Sequence, residues 1–90
     1  MEGMGSEWHP IFLTTEISPG VWEMQNQTDY APFGKIELRR IDERTARYRV
    51  TLSGGVIGWS TTLQVACERL YEARLEQRRR AVGGAPNKSL

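Results

Sequence analysis

Arg47-Tyr-Arg-Val-Thr-Leu-Ser-Gly-Gly-Val-Ile-Gly-Trp59, followed by Ser60-Thr-Thr-Leu-Gln-Val-Ala-Cys-Glu-Arg-Leu-Tyr71, reads as strand, glycine turn, strand and capped helix. Arg47 to Ser53 alternates apolar and polar residues, the period of a half-buried strand. Tyr48, Val50 and Leu52 fall on one face; Arg47, Arg49 and Thr51 fall on the other. The Gly54-Gly55 pair predicts a two-residue hairpin loop, whose positive φ angles glycine adopts freely. That loop pairs Ser53 with Val56, Leu52 with Ile57 and Val50 with Trp59. The last four are apolar and would share the inner face. On the outer face Thr51 would oppose Gly58, a spot of bare backbone.

Downstream, Thr61 predicts a helix cap, with Gln64 completing a capping box. Leu63, Ala66, Cys67, Leu70 and Ala73 form one stripe at helical spacing, with Tyr71 at its edge. The stripe continues into Arg74 and Gln77, which are polar. The core is therefore expected to end near Ala73, with the last two turns projecting past the sheet or resting on the N-terminal apolar cluster. Arg78 to Arg80 complement the helix dipole at its C-terminus.

Upstream, Phe33 to Ile41 is a second strand, with Ile36 and Leu38 inward and Lys35, Glu37 and Arg39 outward. Val21 to Asn26 is another, with Trp22 and Met24 inward. Glu16 to Gly20 reads as a turn punctuated by Pro19-Gly20. Trp8-His-Pro-Ile-Phe-Leu13 is a dense apolar cluster in which Pro10 argues against a central strand, so it reads as an edge or extended cover. The expectation is an α+β fold: an antiparallel three- to four-stranded meander packed on one C-terminal α-helix. Residues 1–10 are expected to be a flexible lead, 11–80 a single domain and 81–90 a disordered tail.

Ninety residues allow one domain with a thin core. The formal charge of +1 hides an asymmetry: residues 1–34 carry five acids and no Lys or Arg, whereas the remainder carries all twelve Lys and Arg against six acids. Such a division hints at an anionic partner. One cysteine excludes an internal disulfide and makes the cytoplasm the expected compartment. The N-terminus lacks the basic and apolar regions of a signal peptide, and no stretch has the length of a membrane span.

Gly58, Trp59, Thr61 (or Thr62) and Ala66, at the junction of strand and helix, carry a resemblance. The run is similar to the three-stranded DNA-binding domains of plant ethylene-response factors and to the N-terminal arm-binding domains of phage and transposon integrases. It covers roughly residues 33–75. It departs in having Gly34-Lys-Ile where those families begin their first strand with Gly, a basic residue and Trp. An extra strand also precedes the motif here. In those families the outer sheet face enters the DNA major groove, so the resemblance implies DNA contact by Lys35, Arg39, Arg47, Arg49 and Thr51.

The same face is the candidate site on the residues alone. Strand alternation brings Lys35, Arg39, Arg47 and Arg49 together, and Arg suits both phosphate and guanine. A charged face is also what any solvated antiparallel sheet presents, and Glu23 and Glu37 temper it. Trp8 and Phe12 are candidate anchors for a protein partner, set against the plainer use of extra core in a small domain. His9 is alone and Cys67 lies on the core stripe, so neither a metal ligand set nor a catalytic thiol is expected. No acid/base pair or nucleophile set is present.

The expected function is therefore a non-catalytic binding module with no cofactor, metal or small-molecule substrate. The first reading is a protein-interaction or accessory domain of bacterial, plasmid or phage type, with a protein partner or a homo-oligomer. The second is duplex-DNA binding through the Arg-rich face.

Overall fold

The computed structural model describes residues 8–83. The expected flexible lead and tail fall largely outside them. Within them, five strands form one antiparallel sheet in sequence order: β1 (Thr14–Ser18), β2 (Val21–Gln25), β3 (Pro32–Asp42), β4 (Thr45–Leu52) and β5 (Gly55–Ser60). A single helix, α1 (Leu63–Gly83), packs across one face. The fold is thus the expected α+β meander with one C-terminal helix, and its strands number five rather than three or four. The additional one is β1, where only a turn was expected. Thr14-Thr-Glu-Ile-Ser18 has no apolar alternation, and its one large apolar residue, Ile17, is exposed. The turn itself is confined to Pro19-Gly20, with Gly20 at φ 79°.

The core is thin. Met24, Ile36 and Val50 from the three central strands meet Ala66, Cys67 and Leu70 of α1, all fully buried. Met24 stands opposite Gly34, and Ile36 opposite Val50. Leu38 follows Ile36 on the same face but lies beyond the helix and remains exposed. Trp22 and Tyr48 cover part of that region, with ring centroids 5.8 Å apart.

The N-terminal cluster covers the core from the side, but not as an extended segment. Pro10–Leu13 forms a 3-10 turn. His9 caps it by accepting the Ile11 amide on Nδ1 at 3.0 Å, and the Thr14 hydroxyl donates to the Ile11 carbonyl. With Nδ1 accepting, Nε2 carries the proton, and it lies 2.9 Å from Glu68 on α1. Ile11 and Leu13 pack on the core, and Trp8 meets Tyr71 edge-on at 5.2 Å.

Two expectations about the β4–β5–α1 stretch change. Thr62, not Thr61, caps the helix: its Oγ1 accepts the Val65 amide at 3.1 Å, so no capping box with Gln64 forms. The hairpin loop is Ser53-Gly54, not Gly54-Gly55. Both loop residues have positive φ, 52° and 88°, as a type I′ turn requires. Ser53 is held there by donating its amide to the Phe33 carbonyl at 3.0 Å and accepting from Gln77 Nε2 at 3.3 Å. At the polar end of α1, Arg74 and Gln77 are thus tied down, whereas Arg78 to Arg80 beyond them are exposed. Arg74 bonds Asn26 at 3.1 Å and lies 4.9 Å over the Phe33 ring, so this end of the helix is tied to the β2–β3 loop as well as the hairpin turn.

Candidate functional site

Moving the loop by one residue slides β5 two places along β4 without changing its faces; a bulge at Ile57 then turns Gly58, Trp59 and Ser60 over, because strand side chains alternate faces. Leu52 now opposes Gly55, Thr51 opposes Val56, Val50 opposes Gly58, Arg49 opposes Trp59 and Tyr48 opposes Ser60. Ile57 is the extra residue of a β-bulge. The expected pairs Leu52–Ile57 and Val50–Trp59 do not form. Gly58 faces the helix side, and Val56 fills the spot expected to be bare. Trp59, expected in the core, is 43% exposed, and Val56 is 54% exposed.

The outer face can be followed row by row across the sheet. One row runs Val21, Glu37, Arg49, Trp59. The next runs Glu23, Lys35, Thr51, Val56. On the far side of the first row Arg39 stands directly opposite Arg47. All five residues expected to carry binding, Lys35, Arg39, Arg47, Arg49 and Thr51, therefore share this face. Trp59 and Val56 join them. Sequence reasoning placed Trp59 inward because the bulge at Ile57 leaves no mark in the alternation, and it did not single out Val56, which the expected pairing with Ser53 already put on this face.

The charges are unequally engaged. Arg49 forms an ion pair with Glu37, its Nε 3.0 Å from Oε1 and a second guanidinium nitrogen closer still. That hydrogen bond holds the Glu37 carboxyl below its ordinary pKa against the opposing effect of burial. Arg47 donates to the Ala46 carbonyl at 2.9 Å. Arg39 and Arg47 are like charges in a directly opposed cross-strand pair, which is unfavourable without an anion. An open hollow of about 540 Å³ lies over this part of the sheet, lined by Glu23, Lys35, Glu37, Arg49, Thr51 and Val56 among others.

Trp8 and Phe12 lie apart from this face. Trp8 is half covered by Tyr71. Phe12 is 68% exposed and lines a separate hollow with Leu13 and Tyr30. Cys67 is buried, and burial pushes its thiol up to about 11, which suppresses the thiolate. Among the described residues no group of three His, Cys, Asp or Glu side chains could hold a metal ion. Among them, too, no helix is long and apolar enough to cross a membrane.

No family model matches the chain, and no curated protein or solved structure matches it.

Proposed function

We propose that this chain is a small non-catalytic binding module that docks on another protein through the outer face of its sheet. The observation that carries the reading is Trp59 beside Arg49, with Val56 in the adjoining row. Trp and Arg are the residues that most often anchor protein interfaces. Here the core uses neither, since α1 packs on the opposite face. Phe12, exposed away from the sheet face, is a secondary anchor, and Trp8 serves mainly as cover for Tyr71. An accessory domain of this kind, working in a reducing cytoplasm, needs no cofactor. Affinity capture with the wild-type chain and a Trp59→Ala variant of unchanged circular dichroism tests the reading. A partner retained by the first and lost by the second supports it. A monomer that retains no partner, or a partner indifferent to Trp59, contradicts it.

One observation favours a second reading, duplex-DNA binding. The opposed Arg39–Arg47 pair gains from a bridging anion such as phosphate, and the resemblance to sheet-based DNA-binding domains points to the same face. The informative variants are Arg39→Glu and Arg47→Glu. Arg49→Glu would set two carboxylates against each other at Glu37 and disturb the sheet. DNA affinity should fall steeply with salt and vanish in the double variant. Sheet amide resonances unmoved by duplex DNA at low salt would end this reading.

A further inference from the structure

We infer that β5 is a docking edge, along which an extended, acidic segment of the partner adds as a sixth strand. This rests on the protein-binding reading and specifies its mode. An edge strand presents unpaired backbone groups to any strand that can reach them, and proteins ordinarily guard such edges with charge or proline. The two edges of this sheet differ. Each has a break in register, but β1 also carries Glu16, and Pro19 follows it. β5, Gly55-Val-Ile-Gly-Trp-Ser60, has neither charge nor proline.

The hairpin fixes which groups are free. Leu52 and Gly55 flank the two-residue turn and form its hydrogen-bonded pair, so the next pair, Thr51 and Val56, is not bonded. The Val56 amide and carbonyl therefore point to the open edge. On the outer face an added strand would lay alternate side chains against Val56 and Trp59. β5 stops at Ser60, opposite Tyr48, whereas β4 continues back to Thr45. A strand running along β5 and past its end would bring its side chains toward Arg47 and Arg39, the directly opposed like-charge pair of this face. Charge complementarity there calls for carboxylates. The bulge at Ile57 twists the edge and works against flat pairing with an identical strand, so a partner segment fits better than a second copy of this chain.

The test uses two synthetic peptides, Thr-Val-Thr-Val-Thr-Val-Glu-Glu and the same sequence ending Lys-Lys, titrated into the ¹⁵N-labelled full chain. The acidic peptide should shift the β5 amides saturably and slow hydrogen exchange at Val56. The lysine peptide should bind roughly ten-fold more weakly, the effect of two partly screened charge contacts. The Arg39→Glu/Arg47→Glu variant should abolish that preference. Equal binding of the two peptides, shifts confined to other elements, or no shift at millimolar peptide would overturn the inference. So would β5 protection that appears without peptide in a concentration-dependent dimer. A natural partner that depends on Trp59 yet leaves the Val56 amide exchanging would keep the protein-binding reading and remove this one.

Discussion

A Cβ on Gly34 would stand 2.5 Å from Leu70 Cδ1 and 3.0 Å from its Cγ. Leu70 is fully buried and has little room to yield, so the absence of a side chain at Gly34 sets how closely α1 approaches the sheet. Gly34→Ala should therefore destabilise the protein by about 1–3 kcal/mol through overpacking, read as a lowered urea midpoint with unchanged slope. Cys67 gives a second prediction at this scale. Its thiol is pushed up to about 11 from an ordinary value of 9.0. The unfolded chain therefore releases the proton first as pH rises. Stability should be undiminished below pH 9 and fall between pH 9 and 11, by an amount on the order of 2 kcal/mol. Cys67→Ala should flatten that alkaline limb in denaturation curves taken across the range. The burial of Cys67 was legible from its place on the helical stripe. The need for Gly34 was not, because nothing in a strand pattern reveals how near a helix will come.

At the scale of elements, long periodic segments were legible and their junctions were not. β2, β3, β4 and the α1 stripe follow from alternation and helical spacing, whereas β1 has no pattern to read. Two adjacent threonines offered two helix caps, and hydrogen-bond geometry selects Thr62. Thr62→Ala should cost about 1 kcal/mol and Thr61→Ala close to nothing, measured side by side by thermal or urea unfolding. Three consecutive small residues, Ser53, Gly54 and Gly55, likewise offered two hairpin loops. The choice depends on bonds from Ser53 to Phe33 and Gln77, both distant in sequence. The bulge at Ile57, which no pattern in the sequence marks, decided the candidate site: Lys35, Arg39, Arg47, Arg49, Thr51 and Val56 kept their face, while Trp59 changed its own.

For the whole molecule, the sheet divides helix-side packing from an outer face on which Lys35, Arg39, Arg47 and Arg49 gather and Glu37 is the chief counterweight. Glu37 is held below its ordinary pKa by Arg49, so its contribution to stability is present at neutral pH. That contribution is lost as pH falls from about its unfolded value through the lower folded one. Glu37→Gln should lower stability at neutral pH and lessen its loss on acidification, in urea titrations from pH 7 to 3. The candidate site depends on Trp59 lying among these charges, and cross-strand nuclear Overhauser contacts of its indole test that most directly. Contacts to Arg49 and Val56 are predicted; contacts to Val50 and the Leu70 methyls, the register that Gly54-Gly55 would impose, would contradict it.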